Sequence, residues 1–499
     1  MRNRTLIFIF MLTTLLPCLV IVHPVNAAET IYIKANGSIE GTTKISSANN
    51  ITYTFTDNID GTITIEKDNI ALDGTGYSLT GTGTGTGIDL RTRSNVTIKN
   101  VQISSFASGI ILRVGSDSIT ISANTITNTV SHAIYLSDSN NNSISGNTIQ
   151  NNPGNGITLV SSSSGNTITG NTITNNNEGI YLLDNSENNI ISTNTIAGNG
   201  DDGIRSSSIG NNIISENYIS SNGAYGVRFV SSSNNKVVKN TVTNSISAGI
   251  GLWSSSSYNT ISENTITNNR IGVYMYTSHN NYNNITGNSI EKNSDEGILF
   301  AHENDFNTIT KNNIISNGKN GIELIYSLST IITENNIAQS GDYGIRLYDT
   351  SNTIVHHNNF DNTKQAIIQG SNSHTNFWDN GVEGNYWSDY TTKYPDAKEI
   401  SNTGAWDTPY VLDENNQDNY PLVGEDNPTP TPTPSPSPSP TASPTTSPSP
   451  TPTSSPETEP PTTFPTGIII GIAAAAVAII VIAVAAFALK KKRSRQQTG

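Results

Sequence analysis

The chain has 499 residues, a formal net charge of −14 and a single cysteine. That cysteine, Cys18, falls in an N-terminal apolar segment, so disulfides and thiolate-held metals are excluded from the rest of the chain. The acid excess repels phosphate backbones and anionic lipid, which disfavours nucleic acid as a partner.

Residues 1–27 have the form of an export signal. Arg2 and Arg4 precede an apolar run from Leu6 to Val22, and Val25-Asn26-Ala27 ends in a small residue. Residues 28–86 alternate apolar and polar positions, as in Ile31-Tyr32-Ile33 and Thr62-Ile63-Thr64-Ile65. This stretch is expected to form an N-terminal cap and the first coils, because an uncovered first coil would offer a free strand edge. The Gly81–Gly87 run of alternating Gly and Thr lacks a following helix and lysine, so it is not a phosphate cradle.

From 87 to 374 one phrase repeats every 22–25 residues. A small residue opens an apolar-x-apolar triplet, from Gly87 and Gly109 through Gly156, Gly179 and Gly203 to Gly344 and Ala366. A second phrase, Asn-x-Ile, runs in step at Asn124, Asn147, Asn171, Asn194, Asn217 and onward to Asn358. A third apolar alternation lies between them, at Ile144, Ile168, Ile191 and Ile214. Alternation at period two reads as strand and the Asn, Ser and Gly separators read as turns. A fixed period of this size means a solenoid. The expected fold is therefore all-β: a parallel β-helix of about a dozen three-strand coils. Stacked at the strand spacing of ~4.8 Å, the coils share one core. The Asn column is expected to be structural, tolerating a left-handed turn and pairing amide to amide between coils.

Residues 375–426 become aromatic and acidic and are expected to close the open end of the coil with large rings. Residues 427–466 are Thr-Pro and Ser-Pro repeats, a stiff stalk. Residues 467–489 are uncharged and long enough to span a bilayer, and 490–499 are basic from Lys490 to Arg495. The expectation is a single-pass type I cell-membrane protein, with the β-helix outside and one C-terminal transmembrane helix. Sequons at Asn36, Asn50, Asn95, Asn141 and Asn284 suit glycosylation outside the cell.

Several stretches carry a family likeness: Thr30-Ile-Tyr-Ile-Lys34, Leu72-Asp-Gly-Thr-Gly-Tyr77, Gly384-Asn-Tyr-Trp-Ser-Asp-Tyr390, Asp407-Thr-Pro-Tyr410 and Tyr420-Pro-Leu422. With the repeats, they resemble the NosD-like β-helix family of the wider carbohydrate-binding and sugar-hydrolase group, in its archaeal surface-protein form. The resemblance implies the right-handed sense of the coil. It also implies copper handling, for which His356, His357 and His374 lie about one coil apart.

Within Gly-Ile-x-Leu, x points outward. Tyr135, Tyr181, Arg205, Arg228, Tyr274 and Arg346 thus form a ribbon that could follow a polysaccharide or envelope glycan, rings meeting sugar faces and guanidiniums meeting hydroxyls or uronates. The alternative is that such residues simply suit strand surfaces. Glu178 and Asp202 sit one coil apart just before the small residue, with Asp184 at the end of the same strand; these are the catalytic candidates, in the manner of a glycosidase pair. A cation, calcium by the chemistry of its ligands, could instead lie between Asp184, Asp201 and Asp202. No cofactor is required. The pattern favours a carbohydrate-binding or structural module, with a polysaccharide lyase or glycosidase as the enzymatic alternative.

Overall fold

The computed structural model of the chain describes residues 29–370 and 375–425. The leader with Cys18, the histidine at 374, the stalk, the apolar run 467–489 and the basic tail lie outside the described residues.

Each repeat makes three short strands, one on each of three faces. Face 1 carries the Gly-Ile-x-Leu strands, such as Asn155–Val160 and Ile180–Leu183. Face 2 carries strands such as Thr167–Thr169 and Ile190–Ser192, and face 3 those such as Thr172–Thr174 and Thr195–Ala197. Strands of one face pair in parallel with the same face one turn on. Ile157, Ile180 and Ile204 line up on face 1, Ile168, Ile191 and Ile214 on face 2, and Ile173, Ile196 and Ile219 on face 3. All nine isoleucines are fully buried, so the core is one column of stacked aliphatic side chains. The face 2 sheet has 15 strands, the first of them antiparallel, which leaves about 14 turns of parallel solenoid.

The small residue has a steric cause. A Cβ on Gly179 would stand 2.4 Å from the carbonyl oxygen of Gly203, and the same clash recurs at Gly156, Gly249 and Gly297. At the end of the series the expectation slips by one residue. Ile345 pairs with Ala366, so Gln365, not Ala366, occupies the small-residue position.

The Asn column is a buried amide ladder. Asn171 Nδ2 donates to Asn194 Oδ1, Asn194 to Asn217 and Asn217 to Asn240, each at 3.0 Å. The backbone N–H of each also donates to the next Oδ1 at 2.9 Å. The left-handed conformation belongs to the residue before each Asn, such as Thr193, Glu216 and Lys239, and not to the Asn. Asn is selected here because its amide donates and accepts at once in a dry corner. The other two corners hold ladders of their own, Asn166–Asn189–Asn212–Asn235 and Asn176–Asn199–Asn222.

Residues 375–425 cover the last turn. Trp387 stacks on Phe360 with ring centroids 4.5 Å apart, and Tyr410 stacks on Trp387 at 4.2 Å. Asn385 Oδ1 accepts from Asn358 and ends one ladder, while Asn416 Oδ1 accepts from the Asn376 N–H at the foot of another corner. Asp418, fully buried, accepts from the N–H of Asn385 and from Trp387 Nε1.

The cell-membrane expectation is corrected here. Among the described residues no helix is long and apolar enough to cross a membrane, and the one helix is the four-residue Tyr390–Lys393. The run 467–489, on which that expectation rested, is not among them.

Candidate functional site

Parallel register sets the outward column of face 1. Tyr135, Thr158, Tyr181, Arg205, Arg228, Gly251, Tyr274, Leu299, Glu323 and Arg346 pair in sequence, one per turn. The six side chains expected in a ribbon do therefore stand in one row, all half-buried.

The arginines are not free, which the sequence did not reveal. Arg205 Nη1 donates to Glu178 Oε1 at 3.0 Å and its guanidinium lies 5.1 Å from the Tyr181 ring centre. Arg228 Nε stands 3.4 Å from Asp202 Oδ2, an ion contact without hydrogen-bond alignment, and packs over the rings of Tyr225 and Trp253. Arg346 bonds Glu323 and Gln369. Glu178 and Asp202 fold across from the position before the small residue to reach an arginine one turn on, whereas Glu323 stands in the column itself, directly beside Arg346. The position before the small residue lies three residues from the column, so strict alternation does not place the two on one side, and the pairing is not read from it.

Glu178, Asp201 and Asp202 come together, with carboxylate oxygens within 4.8 Å of one another. Asp184 does not join them. It sits exposed at the far end of its strand, in a left-handed turn with φ 53°, apart from the Glu178, Asp201 and Asp202 group. Burial, opposed by Arg228, raises the carboxyl of Asp202 to about 7, and burial raises that of Glu178 against the pull of Arg205. Hard carboxylate oxygens suit calcium, but two guanidiniums already offset this cluster.

Below the acids the outer surface of face 1 turns aromatic. Trp253 lies 4.5 Å from Tyr276 and 6.0 Å from Tyr225, and Tyr276 lies 5.4 Å from Tyr274. Gly251 makes room for this: a Cβ there would stand 2.6 Å from the Tyr225 ring. Tyr225, Trp253 and Tyr276 were missed in the sequence because they occupy the outward positions on either side of the column already chosen.

Buried polar atoms without hydrogen bonds concentrate on this surface, Asp202 Oδ2 and Arg228 Nε among them although they face one another at 3.4 Å. Among the described residues, five of twelve such atoms belong to it: Glu178 Oε2, Asp202 Oδ2, Arg205 Nε, Arg228 Nε and Trp253 Nε1. Elsewhere a shallow hollow of about 470 Å³, lined by Asp73, Thr75, Asn100 and Gln102, gathers no such set.

A family model described as periplasmic copper-binding protein NosD matches residues 25–202 and 249–392. The chain belongs to the NosD family. A second model, right handed beta helix region, matches residues 179–309 of this NosD-family chain and gives the coil its hand. The periplasmic description is a further finding against the cell-membrane placement. No curated protein matches the chain. Among solved structures it is similar to the mannuronan C-5 epimerase AlgE6 A-module of Azotobacter vinelandii, at 15% identity and TM-score 0.44, covering 57% of this chain and 83% of that one. The surface adhesin PfbA of Streptococcus pneumoniae gives 14% and 0.43, with coverage of 57% and 84%. A mutant of the periplasmic alginate epimerase AlgG gives 13% and 0.39, with 66% and 80%. Likenesses at this level concern the coil and not the site.

The described residues of the NosD-family chain do not fit a copper centre. His356 and His357 turn their Nδ1 atoms toward one another, and His357 Nε2 is bonded to Glu383 Oε2 at 2.7 Å. These contacts engage both Nδ1 atoms and His357 Nε2. Met275, a soft thioether, is buried in the core, and the one group of three potential ligands is all carboxylate. Of the five sequons, Asn36, Asn50, Asn95 and Asn141 are exposed and Asn284 is half-buried.

Proposed function

We propose that this NosD-family protein is a carbohydrate-binding module that takes a polysaccharide or envelope glycan along face 1. The reading rests on one observation, the buried donors and acceptors left without hydrogen bonds beside Tyr181, Tyr225 and Trp253. A cation would satisfy only the carboxylate oxygens and an anion only the guanidinium and indole N–H groups. A sugar hydroxyl donates and accepts together, and the rings offer its carbon face an apolar surface. The acid–arginine pairs hold the rings and forks in place before a ligand arrives, which lowers the ordering cost of binding.

A second reading has its own support. Asp202 is a carboxyl that holds its proton up to about pH 7 beside a second carboxylate, the condition for a general acid and its partner. On that reading the chain cleaves the glycan it binds, as a glycosidase or polysaccharide lyase.

Retention of the purified protein on immobilised polysaccharides, acidic and neutral, tests the first reading, and assay of the same polymers for new reducing ends or unsaturated uronates tests the second. Tyr181→Ala with Arg205→Gln is expected to weaken retention about tenfold, ~1.4 kcal/mol. Equal retention by the double variant would sink the face 1 reading. Product release abolished by Asp202→Asn, with retention kept, would move the assignment to the enzyme.

A further inference from the structure

A different surface carries three rings that nothing in the face 1 reading uses. The corner between faces 1 and 2 contains a column in which every residue has a left-handed backbone. It reads Asn188, Asn211, Asn234, Tyr258, Tyr282, Phe306, Ser329 and Asn352, with φ between 53° and 61°. Asn is at home in that conformation, whereas a bulky ring there is an outlier held at a cost. The three rings are also exposed, Tyr258 by 57% and Tyr282 and Phe306 by 48% each, so no burial compensates them.

The rings are ordered against one another. Tyr258 and Tyr282 have centroids 5.0 Å apart and planes within 7°, and Tyr282 and Phe306 are 5.2 Å apart and within 8°. That step exceeds the ~3.5–4.0 Å of carbon–carbon contact between stacked faces, so the rings are slipped like stairs and a strip of each face stays open. Ser257, Asn281 and Asp305 flank the row on one side. Thr260, Asn284 and Thr308, aligned on face 2, flank it on the other.

We propose that Tyr258, Tyr282 and Phe306 form a second binding platform, for an uncharged, extended polysaccharide lying along the solenoid axis. Three open ring strips at an even step ask for a ligand with flat apolar patches repeated at an even step, and linked pyranose rings have them. The flanks supply hydroxyls and amides, which suit sugar hydroxyls. Their one charge is the carboxylate of Asp305, and no cation stands among them, so an anionic polymer is disfavoured. This platform differs in ligand from face 1, where guanidiniums line the row.

Cellulose, chitin and xylan serve as the uncharged probes and alginate as the anionic one, in retention assays on the full chain. Tyr258→Asn, Tyr282→Asn and Phe306→Asn combined, made in a host without glycosylation, restore the residue type of the column. Retention on at least one uncharged polymer is expected to fall about tenfold or more, with the circular dichroism spectrum unchanged, while alginate retention stays as in the wild type. Tyr218→Ala, an equally exposed tyrosine on face 3, is expected to leave both unchanged. Undiminished retention in the triple variant overturns the proposal, as does a wild type that none of the three polymers retains. A triple variant that loses self-association in sedimentation instead overturns it in favour of a contact between copies of the chain. Loss of retention by the Tyr181 and Arg205 double variant, on either polymer class, concerns face 1 alone.

Discussion

Asp202 shows how much one position can hold. It is fully buried, accepts from the Tyr225 N–H at 3.1 Å and faces Arg228. Burial nevertheless dominates, and its carboxyl rises from 3.8 to about 7. The folded chain thus binds this proton more tightly than the unfolded chain does. The stabilisation is complete below the unfolded value, shrinks as pH rises from about 4, and is gone above about 7. Asp202→Asn keeps the acceptor for Tyr225 and cannot titrate. The melting temperature of the wild type is therefore expected to fall relative to the variant between about pH 4 and 7 and to run parallel to it above. Parallel curves throughout would mean that Arg228 holds the group charged. Glu178, raised by its own burial, lowers both curves alike as pH rises, so the difference between them reports Asp202. The site was half legible in the chain for a physical reason. Alternation shows which side chains leave the core, and so placed Arg205 and Arg228 in one row. It does not show how far a long side chain reaches, and so paired neither with its acid and left Asp184 among the candidates.

At the scale of the element, the corner is the unit that repeats. Asn217 donates to Ile191 O and Asn240 Oδ1 and accepts both the backbone and the side-chain N–H of Asn194. Asn217→Ala removes all four bonds and leaves buried groups without partners on both adjacent turns. The expected cost is roughly 2–4 kcal/mol, since each orphan costs about 1–3 and neighbouring turns relax in part. Thr172→Ala, at an exposed strand position, should stay within about 0.5 kcal/mol. Urea unfolding of the two variants checks this, and similar midpoints would show that the ladder is ornament to the core. One ladder was legible because Asn-x-Ile is a distinct phrase. The other two were not, because Asn166 and Asn176 sit in separators where most neighbours are also Asn or Ser. The tyrosines at 258 and 282 stand out by type from the column of Asn188, Asn211 and Asn234, one residue before a ladder, and could have been found by writing that column out.

At the scale of the solenoid, stability is a sum over turns and their interfaces, because each turn touches only the turns on either side. The period made this visible from the sequence alone, since one coil cannot bury its own isoleucines; the hand of the coil has no such local trace and came from the family match. A whole turn should therefore be removable where no end is involved. Asn147 and Asn171 occupy equivalent ladder positions 24 residues apart. Deleting residues 148–171 joins Asn147 to Thr172 in phase, with Asn147 then facing Asn194 and Tyr135 facing Tyr181. All three faces and all three ladders continue across the junction. The shortened chain is expected to melt cooperatively within a few degrees of the wild type, since two interfaces are lost and one is re-formed, a net loss of one. Deleting only about half as many residues from the same start puts turn residues under strands and polar side chains under the isoleucine column, and this variant is expected to aggregate or lose its β spectrum. Equal damage from the two deletions would show that the turns are not interchangeable, and that stability depends on contacts longer in range than one rung.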